Sequence, residues 1–404
     1  MKTLLTACLI SLSVWGWSQT EITITQGAGY VNDVFYSLDN GVVASVAGDD
    51  WDLAFDVTSP FSPTIRLNDG HGRQLSLYPN GDVNAWNDVD TAGYAGWPKL
   101  TNGIDAWENG AMNANVSSDP SDFSWGIYAG PPTHQVVGDS IYLLERPDAS
   151  VLKLRIDNLD NGTWNFTMAA LDGSGETVQS IDMGDYAGKN FVYFDYANGV
   201  IDREPSSTDW DFVFTRYVGL TEYGLFPTTG VLLNRNRPAA EVTETPIAEA
   251  ELASAALNTD DISTIGNDWK ALVDFQWEVV EDLSYFVESA SGQVYHLWFS
   301  AFEGSSTGVS VLNAAPVSTA AVSAVEEQGW RVYPNPTDAV LQIEGSAEWS
   351  AIRVLDAHGR IVEDQIATGA TNRLTLNTGH WDAGVYLVQW TGPAGTATRR
   401  VLKR

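Results

Sequence analysis

Two stretches of this chain read alike, and the likeness limits what it can fold into. Val34 to Val43 runs VFYSLDNGVV and leads to Asp50-Trp51-Asp52-Leu53-Ala54-Phe55. Val192 to Ile201 runs VYFDYANGVI and leads to Asp209-Trp210-Asp211-Phe212-Val213-Phe214. The pairs Asn40-Gly41 and Asn198-Gly199 lie 158 residues apart and the two tryptophans 159, so one insertion aligns two strand–turn–strand units. Asn-Gly supplies the positive φ that a tight hairpin turn needs. A second set follows in the same order: Tyr142, Val151, Leu154, Ile156 and Leu159 match Tyr285, Val294, Leu297, Phe299 and Phe302 at a constant offset of 143. A repeat this long predicts two related β domains, 21–180 and 181–315, rather than a solenoid. The first carries a long insert from about His71 to Trp125.

The rest of the chain agrees with an all-β class. Short β-branched and aromatic runs are broken by turns such as Pro79-Asn80-Gly81 and Asp160-Asn161-Gly162, and helical periodicity is scarce. One polar-alanine stretch, Ala239 to Ala256, reads as a short helix. With 44% hydrophobic residues, there is enough apolar area to offset the entropy of ordering.

The N-terminus reads as a signal peptide, 1–18. Lys2 is the positive end, Leu4 to Val14 the apolar run, and cleavage is expected near Ser18 and Gln19. The run is too short for a membrane span, and the mature chain is expected to have no transmembrane segment. Cys8, the single cysteine, falls inside it, so the mature chain is expected to lack disulfides and thiolate sites. Residues 19–330 hold twelve Lys and Arg against 45 Asp and Glu, a net charge of −33. Such a surface repels phosphate backbones and argues against nucleic acid as a partner.

An aromatic-poor stretch at 316–330 reads as a linker. Strand-like runs after it, at Val340 to Ile343, Ala351 to Leu355, Leu374 to Leu376 and Val385 to Trp390, suit a small β-sandwich. This last unit, 331–404, resembles the C-terminal sorting domain (type A) of the type IX secretion system of Bacteroidota. The resemblance rests on four motifs: the opening Tyr333-Pro334-Asn335-Pro336, the turn Asp356-Ala357-His358-Gly359-Arg360, Gly384-Val385-Tyr386, and the basic end Arg399-Arg400-Val401-Leu402-Lys403-Arg404. It implies recognition by the type IX translocon, removal of the domain, and attachment to surface lipopolysaccharide. The product would be secreted, at the outer-membrane surface or extracellular.

Residues 21–315 are similar to the HmuY-like family of secreted haem-binding proteins, in two tandem copies. The residues concerned are the twin Trp-Asp-x-x-Phe strands, Thr64-Ile65-Arg66-Leu67-Asn68, Gly230-Val231-Leu232-Leu233-Asn234, Ile265-Gly266-Asn267-Asp268-Trp269-Lys270, and Tyr295-His296-Leu297-Trp298-Phe299. The resemblance implies haem, or another flat hydrophobic ligand, as candidate cargo.

Haem iron takes His or Met as axial ligands. Residues 19–315 offer His71, His134, His296, Met112, Met168 and Met183. His71, in the turn Asp69-Gly70-His71-Gly72, and His134, in a loop after two prolines, are the candidate haem ligands. His296 aligns with Lys153 and is expected on a strand facing solvent, and Met168 in the core. Trp97 and Trp107, in the Trp-rich insert, are candidate stacking residues for an alternative glycan- or matrix-binding, adhesin-like role. Trp51 and Trp210 are expected in the two cores. No metal site and no catalytic residue is read from the chain. Gly304-Ser305-Ser306-Thr307-Gly308 fits a nucleophile elbow only as letters, because it joins two predicted strands. Paired carboxylates are too abundant for any one pair to mark a hydrolase.

Overall fold

The computed structural model describes residues 19–221, 224–317, 331–344, 351–356, 360–366, 373–392 and 395–404. The expected signal peptide, Gly359 and all but the first two residues of the expected linker lie outside them. Every helical piece described is a single 3-10 turn of three or four residues; the fold is all-β. Residues 19–317 form one compact unit, and the sorting module another.

Within the larger unit the first repeat supplies β1 (Thr20–Thr25), β2 (Asn32–Ser37), β3 (Gly41–Ala47), β4 (Leu53–Asp56), β5 (Ile65–Leu67), β6 (Gln74–Leu77), β7 (Gly126–Tyr128), β8 (Val136–Gly138), β9 (Tyr142–Glu145), β10 (Val151–Asp160) and β11 (Thr163–Ala170). The second supplies β12 (Thr177–Asp182), β13 (Phe191–Asp195), β14 (Gly199–Ile201), β15 (Phe212–Thr221), β16 (Gly224–Leu233), β17 (Ala239–Val242), β18 (Lys270–Val273), β19 (Gln276–Val279), β20 (Ser284–Glu288), β21 (Val294–Phe302) and β22 (Val309–Pro316). Strand order is the same in both, apart from the pieces between β6 and β9 and between β17 and β20.

The repeats do not fold separately. The first two strands of each pair with the other, β1 with β22 and β2 with β15, and reciprocally β12 with β11 and β13 with β4, while β3 and β14 follow as hairpin partners of β2 and β13. Four sheets result. One sandwich packs the seven-stranded sheet of β6–β12 against β14-β13-β4-β5; the other packs β1-β22-β21-β20-β17 against β16-β15-β2-β3. The expected cut at 180/181 falls inside β12, and a cut just before that strand leaves two sequence units, each of which owns part of both sandwiches.

The inner strands of the two four-stranded sheets, β2, β4, β13 and the first half of β15, are buried on both faces, which is why they read as nearly continuous apolar runs. Leu53, Phe55, Val192 and Phe194 enter the first core, and Val34, Tyr36, Phe212 and Phe214 the second. The alternate residues, Ala54, Phe191 and Tyr193 on one sheet and Phe35, Val213 and Leu232 on the other, point into the junction between the sandwiches.

Two expectations need correction. Ala239 to Ala256 is β17 followed by the turns Ile247–Glu249 and Leu252–Ser254, because Ala239 and Ala240 pair with β20 and Pro246 offers no N–H to continue a helix. Trp51 and Trp210 face the junction rather than the cores. Trp51 meets Tyr193 edge-on at 5.0 Å, and Trp210 meets Phe35 in the same way at the same distance.

The sorting module contains β23 (Arg331–Tyr333), β24 (Val340–Glu344), β25 (Ala351–Asp356), β26 (Ile361–Ile366), β27 (Arg373–Asn377), β28 (Gly384–Gly392) and β29 (Gly395–Lys403). Sheets β23-β24-β27 and β26-β25-β28-β29 close on a core that includes Leu341, Ile343, Ile352, Val354, Trp381 and Val388.

Candidate functional site

The exchanged hairpins are latched by a polar arrangement that occurs twice. Asp52, fully buried, accepts from the Tyr196 N–H at 3.0 Å and from the Nε of Arg73 and Arg146 at 3.0 and 3.1 Å. Its counterpart Asp211 accepts from the Leu38 N–H at 2.7 Å and the Ala290 N–H at 2.8 Å, and forms an ion pair with Arg237 at 2.9 Å. Each aspartate thus holds the turn of the hairpin given by the other repeat. Asn68 and Asn234 repeat the pattern, donating to the carbonyls of Gly48 and Trp51 and of Ser207 and Trp210.

Between the sandwiches lies a cavity of about 60 Å³ lined by Asp33, Trp51, Tyr193, Arg203, Glu204 and Trp210 among others. Arg203 pairs with Asp33 at 2.9 Å and Asp50 at 3.2 Å. Glu204 accepts from the N–H groups of Asn190 and Phe191 and from the Tyr193 hydroxyl. Burial pushes its carboxyl up to about 7, against the pull of those three donors.

His71 and His134 have separate surroundings, and neither lines this cavity. The Asn68 amide already donates to two carbonyls, so its oxygen faces His71 Nδ1 at 3.1 Å and that nitrogen carries the proton. Nε2 faces the Tyr30 carbonyl at 3.5 Å, and the Gly48 backbone lies so near that a Cβ there would stand 2.5 Å from it, leaving the ring half-buried. Burial also lowers the His71 pKa. His134, at φ 55°, is exposed and hydrogen-bonds the Tyr128 hydroxyl. His296 is half-buried and stacked on Phe286 at 4.7 Å rather than turned to solvent. Met112 and Met168 are wholly buried and Met183 nearly so.

The two candidate stacking tryptophans differ. Trp107 is packed into the junction, donating to the Leu233 carbonyl at 2.8 Å beneath Arg66 and against Phe191. Trp97 is half-exposed, edge-on to Tyr78 and Tyr94, with Lys99 over the Tyr94 ring. Gly304-Ser305-Ser306-Thr307-Gly308 joins β21 to β22 as a loop with one 3-10 turn. Among the described residues no cluster of three or more His, Cys, Asp or Glu could hold a metal ion.

The latch carboxylates, the buried Arg203 and Glu204, and the exposed apolar hairpins carry little signal in the sequence. The first left a trace, an Asp after each repeated Trp and an Asn closing each following strand.

In the sorting module the opening motif clasps the chain end. Asn335 Nδ2 donates to the Arg400 carbonyl, and the Leu402 N–H donates to Asn335 Oδ1, both at 2.9 Å. The Thr337 N–H donates to the Leu402 carbonyl, the Arg404 N–H donates back to that of Thr337, and the Tyr333 hydroxyl donates to Glu344 at 2.7 Å. Pro334 and Pro336 both follow cis bonds. Arg331, Tyr333, Asn335, Arg399 and Arg400 line an open groove of about 880 Å³. Gly384 opens β28, where it pairs with Lys403 of β29.

A search of curated proteins found no match. A solved structure described as "Biofilm associated protein - BSP domain" aligns over 98% of this chain and 68% of its own at 10% identity, with a TM-score of 0.15, too low to carry an argument. Neither comparison supports the HmuY-like resemblance of residues 21–315. Residues 331–404 match the family described as "Secretion system C-terminal sorting domain". With the clasp in place, this segment is the C-terminal sorting domain of a type IX secretion cargo, and the chain is directed to the cell surface or the extracellular space.

Proposed function

We propose that residues 19–317 are the working part of this cargo and act outside the cell as a non-enzymatic binding protein. The observation that carries this reading is apolar surface without a folding role. Leu220, Leu225 and Phe226, near the tip of the β15–β16 hairpin, are 69, 64 and 59% exposed, and Phe275, at the tip of β18–β19, is 91% exposed. Large apolar groups left in water at projecting tips mark contact surfaces. Haem with His71 and His134 as joint axial ligands finds little support, because one ring is half-buried against the Gly48 backbone and the other is exposed in a separate loop. A glycan-binding reading has support at one place, the half-exposed Trp97 beside Tyr94.

Export and binding are tested separately. Deletion of residues 331–404 should leave the protein in the periplasm, and normal surface delivery of the truncated chain would overturn its assignment as type IX cargo. The full-length protein titrated with haemin should show no saturable Soret change; a stoichiometric one would restore haem as the ligand. Retention on insoluble polysaccharide that Trp97→Ala abolishes would establish the glycan reading. Release of reducing sugar would replace binding with hydrolysis.

A further inference from the structure

Among the described residues, strands β18 and β19 pair only with each other. A two-stranded ribbon is marginally stable by itself, yet this one exposes Leu272, Val273, Phe275 and Trp277, each more than 40% accessible. Its turn places Asp274 and Phe275 at φ 48° and 61°. That is the left-handed region, which glycine and asparagine fill at least cost and a bulky side chain enters only with strain. Both strain and exposure are thus concentrated at one projecting phenylalanine.

Beside this ribbon, between β19 and β21, runs an open groove of about 700 Å³. Trp277, Phe299 and Phe302 give it an aromatic floor, and Glu278, Glu281 and Asp282 an acidic rim; no Lys or Arg lines it. The floor is preformed. Trp277 lies edge-on to Phe302 at 5.2 Å, and a Cβ on Gly304 would stand 2.7 Å from its ring. β21 bulges between Phe299 and Ala301, along the groove wall, a common way to re-aim side chains beside a site.

We propose that this groove binds an extended basic polypeptide segment in which lysine or arginine alternates with aliphatic residues. Alternate side chains of an extended chain point to opposite faces, so one set meets the aromatic floor while the cations meet the carboxylate rim. Among the described residues the second edge of β19 has no partner strand, and it can form main-chain hydrogen bonds with an added one. The −33 charge of residues 19–330 steers such a segment inward, and the same rim repels anionic ligands. This inference rests on the binding reading above and is independent of export.

The test is calorimetric titration of the full-length protein with three octapeptides alternating Lys–Val, Thr–Val and Glu–Val. The Lys–Val peptide should bind saturably at one site, at least roughly tenfold tighter than the other two. Trp277→Ala, and separately Glu278→Gln with Glu281→Gln and Asp282→Asn, should each weaken it by roughly tenfold or more with the circular dichroism unchanged. A charge-matched set on exposed positions elsewhere, Glu21→Gln with Asp88→Asn and Asp185→Asn, should have little effect. If that set weakens binding as much as the groove set does, the attraction is diffuse and the site is refuted. No binding of the Lys–Val peptide, or equal binding of the Thr–Val peptide, refutes it too. Because the groove set lies on the surface, it decides the matter even if Trp277→Ala disturbs folding. Failure of all three peptides would leave a haemin or polysaccharide result standing, so the two readings fall separately.

Discussion

Asp52→Ala tests whether the exchanged hairpins are held as described. The carboxylate is fully buried, and its removal strips three donors at once. Arg146 keeps Asp195, but Arg73, whose side chain is 4% exposed, is left with the carbonyls of Asp49 and His71. Among the described residues the Tyr196 N–H donates to Asp52 alone. Breaking a buried ion pair from one side costs about 3–5 kcal/mol and an orphaned buried N–H about 1–3 kcal/mol. These penalties overlap, so about 4 kcal/mol is expected. In a unit of this size each kcal/mol moves Tm by roughly 2 °C, and the fall should be about 8 °C by tryptophan fluorescence or calorimetry. Asp211→Ala should cost a similar amount, since it strips the N–H groups of Leu38 and Ala290 and the guanidinium of Arg237. Asp88→Asn, on the exposed surface, should stay within about 0.5 kcal/mol of the parent. A Tm within about 2 °C of the parent for both latch variants, with native circular dichroism, would refute the latch.

Three further outcomes follow from the geometry. Trp107→Ala should lower stability by about 3 kcal/mol, through lost packing and an unmet Leu233 carbonyl, and leave any polysaccharide retention unchanged; lost retention at intact stability would place its ring in a site. Glu204 is a carboxyl whose folded pKa lies above its unfolded value. Its contribution is therefore full below about pH 4.5 and is lost as pH rises through about 7, on the order of 3 kcal/mol in all. Thermal melts from pH 4 to 8 should show the parent losing stability relative to Glu204→Gln across that window, and parallel profiles would contradict this. Asn335→Ala removes both side-chain bonds of the clasp, costs the module about 1 kcal/mol, and should reduce the fraction delivered to the surface, read by fractionation; undiminished delivery would show that the clasp is dispensable.

Much of the architecture is legible in the residues. Asn-Gly turns between β-branched runs, and the absence of helical period, determine an all-β chain. The four ordered motifs after residue 330 determine a sorting module, and the repeated strand–turn–strand units determine that one set of strands occurs twice. Readings based on single side chains fared less evenly. Met168 is core as expected, whereas Trp51, Trp210 and Trp107 belong to a junction that no linear pattern describes. The exposed apolar face of β18–β19 is not legible in the sequence, because an exposed apolar strand and a buried one share the same letters.

What only the tertiary structure decided is which strand lies beside which. Alternation and turn chemistry specify that a hairpin forms and which faces it buries. They do not name its neighbour, and the hairpins at Asn40-Gly41 and Asn198-Gly199 have the same pattern, so pairing at home and pairing across are equally consistent with it. The choice is made by contacts distant in sequence. Asp52 meets Tyr196 and Asp211 meets Leu38, and the apolar residues on the second face of each inner sheet find cover only when the two sandwiches close on each other.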